Sequence, residues 1–184
     1  MLRKMEDAEL NAILTVADLM CAAAKTAPKG SGKDTVRTAI VTGAEKDALR
    51  DKMIAMAEAS GRENFRRDAG NVDNSEAVVL IGCISKPFGF SGCGVCGFNS
   101  CAENVKAGGR CAFNITDLGI AVGSAVSLAM DNRIDNRVMY TAGIAGLKLS
   151  YMPDDVVICY GIPLHTSSKS IYFDRGPGAV INVK

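Results

Sequence analysis

The sequence predicts layers of helix packed on a mixed β-sheet, and three observations carry that prediction. Runs rich in branched apolar residues recur at 36–41, 77–81 and 156–162. Stretches with helical apolar spacing separate them. The 184 residues are enough to bury one respectable core without disulfides or other staples. Three strands divided by helices fit a three-layer α/β sheet as well as an α+β arrangement, and the pattern alone leaves both open. Residues 1–184 read as a single domain, with a cysteine-rich loop inserted at 82–112.

Taken in order, residues 7–25 put Leu10, Ile13, Leu14, Ala17, Cys21 and Ala24 on one helical face. Cys21 lies on that stripe and reads as a core residue. Residues 26–34, Thr-Ala-Pro-Lys-Gly-Ser-Gly-Lys-Asp, form a loop. A strand at 36–41 leads to Thr42, which with Glu45 makes a capping box for the next helix. That helix buries Leu49, Met53, Met56 and Ala57, and Gly61 stops it. Phe65 and Val72 anchor a short helix in the polar stretch 62–75. The continuous apolar run 77–81 is a buried strand.

A loop dense in glycine and cysteine fills 82–111. The run 116–132 is apolar or small almost all round, which predicts a helix in the middle of the domain. A further helix spans 137–149. The strand at 156–162 is closed by Pro163, and a polar loop leads to Ile171-Tyr172-Phe173.

Composition narrows the function classes. Twenty-one basic residues against twenty acidic leave no excess for nucleic-acid binding. The opening residues are too charged for the apolar region of a signal peptide. The longest apolar run, 118–130, is too short to cross a bilayer. These features predict a cytoplasmic protein with no nucleic-acid or membrane partner. Seven cysteines, an odd number, in a reducing compartment argue against a disulfide framework. With His165 as the single histidine, any metal here is held by sulfur.

The strongest chemical signal is Cys93-Gly-Val-Cys96-Gly-Phe-Asn-Ser-Cys101 followed by Cys111, a C-x2-C-x4-C-x9-C pattern. An iron–sulfur cluster needs four thiolates converging on a small object. Gly92, Gly94 and Gly97 suit the tight turn between the first ligands, and Gly108 and Gly109 free the chain to bring Cys111 back. Structural zinc uses four cysteines too, although zinc ribbons usually present two C-x2-C pairs and one is present here. A redox pair of Cys93 and Cys96 leaves Cys101 and Cys111 unexplained. Four buried cysteines that bind nothing are the remaining reading. Cys83 and Cys159 lie at or inside strands and read as core.

Gly30-Ser31-Gly32-Lys33 fails as a nucleotide-binding motif, because Asp34 follows the lysine and a strand follows rather than precedes. Lys25, Lys29 and Lys33 around that glycine-bearing loop could hold a phosphate. The competing reading is a solvated surface loop. His165 reads as a loop residue rather than a catalyst, and the Asp131-Asn-Arg133 and Asp135-Asn-Arg137 repeat reads as structural.

The cysteine pattern resembles the four-cysteine [4Fe-4S] domain of anaerobic redox enzymes. With Thr26-Ala-Pro-Lys29, Ile40-Val-Thr-Gly43, Arg67-Asp68-Ala69-x-Asn71-Val72 and Asp117-Leu-Gly-Ile-Ala121-x-Gly-Ser-Ala125, the chain resembles a bacterial and archaeal family of ferredoxin-domain proteins of unknown function. Asp135-Asn-Arg137-x-Met139-Tyr140, Gly161-Ile-Pro-Leu164 and Phe173-Asp-Arg175 fit the same family, so the resemblance covers nearly the whole chain. It implies a nitroreductase-like α+β fold with a cluster loop inserted, and no established reaction.

The function expected is that of an iron–sulfur redox protein, a possible oxidoreductase, with Cys93, Cys96, Cys101 and Cys111 holding one [4Fe-4S] cluster. It would transfer electrons, or carry out flavin-linked reduction of an unknown substrate. The alternative is a non-catalytic binding or sensing module in which iron–sulfur or zinc only pins the loop. The scaffold also implies a flavin mononucleotide (FMN) site, with the loop 26–34 beside the ring and 164–169 near the phosphate. Lys169 is then the phosphate partner, and Lys29 and Lys33 serve the ring side. Such enzymes carry an arginine- and serine-bearing clamp ahead of the first helix, reduced here to Arg3 and Lys4, so FMN binding is expected to be weak. The same scaffold implies a homodimer, with the tail 179–183 as an arm reaching a partner.

Overall fold

The structure is a computed structural model and describes residues 2–173. Four strands build one sheet in the order β1-β2-β4-β3, and every neighbouring pair is antiparallel. They are β1 (Val36–Thr42), β2 (Ala77–Ile84), β3 (Asp135–Asn136) and β4 (Val156–His165). The arrangement is therefore α+β, and the parallel alternative falls. Apolar runs report that a strand is buried but not which way it points.

Helices cover both faces. On one lie α1 (Met5–Thr26) and α5 (Ala112–Asp131); on the other lie α2 (Gly43–Ser60), α3 (Glu63–Asp73) and α6 (Tyr140–Lys148). The central strand β2 feeds both cores by its pleat: Ala77, Val79, Ile81 and Cys83 face α1 and α5, while Val78 and Leu80 face the other layer. Leu80 and Ile81 are fully buried, and such burial contributes about 1.5–3 kcal/mol per side chain. The α6 layer approaches most closely. A Cβ on Gly143 would lie 1.9 Å from the Cys159 carbonyl oxygen, and one on Gly161 would lie 2.6 Å from the Ala142 Cβ.

Several local expectations change. The buried stripe of α1 is Ile13, Val16, Ala17, Met20 and Ala24; Leu10 is exposed and Cys21 half-buried. Helix α2 starts after Thr42, yet the Thr42 side chain makes no capping bond. Gly61 does end it, at φ +67° with its N–H on the Ala57 carbonyl. Strand β2 runs through Gly82 to Ile84 and so takes the first residues assigned to the loop. Gly82 fits there because a Cβ would meet Val156 at 2.6 Å and the Ile158 carbonyl at 2.7 Å.

Helix α5 starts at Ala112 and buries one face only, leaving Ile115, Ile120 and Met130 exposed. It is the one described helix long and apolar enough to cross a membrane, and here it packs on α1 and the sheet with Asn114 and Asp117 on its buried face. Residues 135–136 form β3, so the following helix begins only at Tyr140, and Arg137 instead donates to the Tyr172 carbonyl at 3.2 Å. Pro163 does not end β4. Gly161 and Met139 exchange both backbone hydrogen bonds, and the Pro163 nitrogen, two residues on, faces the gap between that bridge and the Asn136–Leu164 pair. Its missing N–H costs no ladder bond there. The tail 179–183 lies outside the described residues.

Candidate metal centre

Between β2 and α5 the chain makes one excursion, residues 85–111, interrupted by the short helix α4 (Cys101–Lys106). Its base is fastened to α5: the Lys86 N–H donates to Asn114 Oδ1 at 2.9 Å. Phe88 then stacks on Phe113 with ring centroids 5.4 Å apart and planes at 9°. Phe90 packs edge-on against both, at 5.5 and 5.8 Å. Gly92, Gly94 and Gly97 all take positive φ, and a turn closes with the Gly97 N–H on the Gly94 carbonyl. Those conformations are cheap only for glycine.

Ser100 caps α4, its Oγ accepting the Glu103 N–H at 3.2 Å, while the Glu103 carboxylate accepts from the Asn99 N–H and side chain. This seats Cys101 as the first residue of the helix. Asn104, almost wholly buried, then organises the return. Its carbonyl accepts the Gly109 N–H and its side chain donates to the Arg110 carbonyl at 3.1 Å. A Cβ at Gly109 would come within 2.8 Å of the Asn104 amide nitrogen. The return delivers Cys111, buried, to the N-cap position of α5.

The outcome is a small, partly open pocket onto which Cys93, Cys96, Cys101 and Cys111 all face. Phe88, Phe90, Phe98 and Phe113 are four of the nine other residues that line it, and among the described residues no carboxylate or imidazole does. All four cysteines are free thiols. Among the described residues, no three His, Cys, Asp or Glu side chains gather tightly enough to hold a metal ion. The four thiols line one pocket without three of them converging at a point.

The other cysteines are kept apart from this set. Burial pushes the Cys83 thiol up to about 11, with Asp117 adding and Arg110 opposing. Burial pushes Cys159 up to about 12. Burial also raises Cys21, against a hydrogen bond from Thr38. Neutral thiols of this kind are poor nucleophiles and poor ligands.

The three lysines do not come together. Lys29 places its ammonium on the carbonyls of Ala24, Lys25 and Ala27, closing the end of α1. Lys33 donates to the Phe88 carbonyl at 2.9 Å and lies 5.2 Å from the Phe88 ring and 5.6 Å from the Phe90 ring. It ties the loop before β1 to the cysteine excursion. Lys169 follows β4, beyond the pairing of Leu164 with Ala77 at the opposite end of β2. Seven residue steps at roughly 3.3 Å put the two ends of β2 about 23 Å apart.

Residues that sequence reasoning missed do the positioning. The Asp117 carboxylate, buried on α5, accepts the Gly30 N–H through both oxygens at 3.0 and 3.2 Å. Gly30 is pressed so closely on Phe88 that a Cβ would come within 2.3 Å of the ring. A signal existed: Asn114 and Asp117 are polar residues three apart, hence on one face, and Leu118 and Ala121 continue that face. His165 sits at the end of β4, with Nδ1 at 3.0 Å from the Glu76 carboxylate.

Comparison with known proteins fits these observations. The model of a family described as "Uncharacterized protein containing a ferredoxin domain (DUF2148)" matches residues 107–175. That match takes in Cys111 and stops short of the first three cysteines. A protein from Archaeoglobus fulgidus is 42% identical over 185 residues, 96% of this chain and 99% of its own length. The chain belongs to this ferredoxin-domain family.

Among solved structures, the nitroreductase CinD from Lactococcus lactis in complex with nicotinic acid superposes with a TM-score of 0.60 at 14% identity. The match covers 91% of this chain and 81% of that one. A nitroreductase with bound FMN from Desulfitobacterium hafniense gives 0.57 at 12% identity over 92% and 81%. The ferredoxin-domain protein thus has a nitroreductase-like fold.

Proposed function

We propose that the protein is an iron–sulfur electron-transfer protein in which Cys93, Cys96, Cys101 and Cys111 hold one [4Fe-4S] cluster. One observation carries this reading: four free thiols, and among the described residues no carboxylate or imidazole, line a single pocket with four phenylalanines in its wall. Four thiolates are the donor set of such a cluster. A single zinc ion draws its four ligands to one point, and among the described residues no three of these thiols meet that closely. When bound, the cluster would supply one-electron chemistry; the protein supplies the ligands and the electrostatics. The phenylalanine side chains lower the local dielectric on their side of the half-buried thiols, and the positive-φ glycines let the backbone turn tightly between Cys93 and Cys96.

Replacing each of the four cysteines in turn with serine, in protein handled without air, tests the ligand set. Loss of iron and sulfide in all four, with retention in Cys21→Ser and Cys159→Ser, supports it. Full cluster content in Cys101→Ala overturns it.

A flavin is a second and weaker cofactor in this proposal. The nitroreductase-like fold supports an FMN site; the lysines argue against a strong one. Lys29 and Lys33 are engaged with the α1 end and the Phe88 carbonyl, and Lys169 lies at the far end of the sheet, so one chain does not gather all three around one flavin. A homodimer would bring such ends together, and we include dimerisation in the proposal. Titrating FMN and following its fluorescence should show weak binding; tight stoichiometric quenching would show a complete site. Free thiols and an oxygen-sensitive centre suit a reducing, cytoplasmic setting.

A further inference from the structure

We infer that the surface over the thiol pocket is the docking face for a small acidic electron-carrier protein. The inference rests on the iron–sulfur reading. Three large apolar side chains stand exposed on the cysteine excursion: Phe90 at 42%, Val95 at 63% and Val105 at 61%. Phe90 and Val95 also line the pocket. Val105 follows Cys101 by four residues on α4 and so shares its face. A body seated on these three residues would rest against the wall of the centre itself.

The charge of this surface is lopsided. Residues 85–111 carry Lys86, Lys106 and Arg110 against Glu103 alone, although the whole chain is nearly neutral. Glu103 is turned to Asn99. Lys86 and Lys106 are exposed and pair with no acidic side chain among the described residues. Arg110 donates to the carbonyls of Gly108 and Gly109 and forms no ion pair among the described residues. Lys33 adds a fourth cation behind the aromatic wall, and Asp34, beside it and Lys86, is paired with Lys25. An apolar centre with a cationic rim is what a weak redox encounter uses: few square ångströms, with charge setting the rate and orientation of approach. Charge complementarity requires the carrier to be acidic. One electron leaves the reduced carrier, which is thereby oxidised, and enters the thiolate-held centre, which is reduced by one electron; no bond forms.

Full-length protein purified without air, its iron and sulfide counted first, should be titrated with oxidised plant-type ferredoxin as the acidic probe and cytochrome c as the basic one. Calorimetry should show binding of ferredoxin that weakens about tenfold from 20 to 300 mM NaCl, and none of cytochrome c. The Lys86→Glu/Lys106→Glu pair should weaken ferredoxin binding about tenfold with unchanged iron content, whereas Lys86→Arg/Lys106→Arg should retain it. Equal binding by the charge-reversed protein would overturn the inference, as would equal binding of cytochrome c. So would equal or tighter binding of a thymidine oligonucleotide or of phosphatidylglycerol vesicles, which would mark a general polyanion surface. Iron-free protein that still binds ferredoxin would keep the docking face and remove the iron–sulfur reading.

Discussion

Strand β2 and the cysteine excursion that follows it are neighbours in sequence and opposites in construction. Every residue from Ala77 to Cys83 is buried. Between 85 and 111 only Phe88, Asn104 and Cys111 are. The strand is held by apolar burial shared between two helix layers; the excursion is held by an aromatic stack, a few side-chain bonds and five glycines at positive φ. Burial that sparse offsets little of the roughly 1–2 kcal/mol per residue that ordering a backbone costs. The difference teaches that the sheet explains its own stability, whereas the excursion is where the proposed centre would add what burial does not supply.

The sharpest way to break this contrast is a methyl group placed in each region. Gly143→Ala drives a Cβ to 1.9 Å from the Cys159 carbonyl and 2.8 Å from the Tyr160 Cα, with backbone on both sides unable to yield. We expect a loss of more than about 3 kcal/mol in urea unfolding, or no folded protein. Gly94→Ala meets nothing within 4 Å and is strained only by its φ of +62°, so about 1–2 kcal/mol is expected. Similar losses at both sites would erase the distinction.

Loss of a ligand should act on one region alone. In Cys101→Ser, amide hydrogen exchange should accelerate across 85–111 while the β2 amides keep their protection. Uniform acceleration would mean that the excursion supports the sheet.

The joint between the regions should be intermediate. Asp117→Ala leaves the Gly30 N–H without its acceptor and frees the loop that Lys33 fastens to Phe88. A loss of about 1–3 kcal/mol is expected from thermal or urea unfolding.

The smallest effect is on pH dependence. Cys159 is pushed up to about 12 and Cys83 up to about 11 by burial. An unfolded thiol ionises near 8.5, so over the interval above that value the unfolded chain has lost protons that the folded one keeps. Stability contributed by the neutral thiols is whole below about 8.5 and is lost as pH rises toward 11–12. The urea midpoint should therefore fall across that window, with a shallower slope in Cys159→Ala. An identical slope would place the titration elsewhere.

Much of this architecture was legible in the residues. The run 77–81 announced the central strand, Gly61 announced the end of α2, and the cysteine spacing announced the pocket. Strand direction was not legible, because the same apolar run serves either sheet. Nor was β3, two residues long and defined only by its pairing with Leu164 and His165. Pro163 misled, since its cost depends on whether its nitrogen faces a partner. The apolar composition of α5 suggested burial all round, yet Ile115, Ile120 and Met130 are exposed. Asp117 and Asn104 escaped notice because their importance lies in the backbone groups they satisfy, at Gly30, Gly109 and Arg110.

The most direct test is to count iron, acid-labile sulfide and zinc in wild-type protein never exposed to air, and to record its electron paramagnetic resonance after chemical reduction. Four thiols around one [4Fe-4S] cluster predict about four irons and about four sulfides per chain, with a reducible signal lost in Cys93→Ser. About one zinc per chain with no labile sulfide would contradict it.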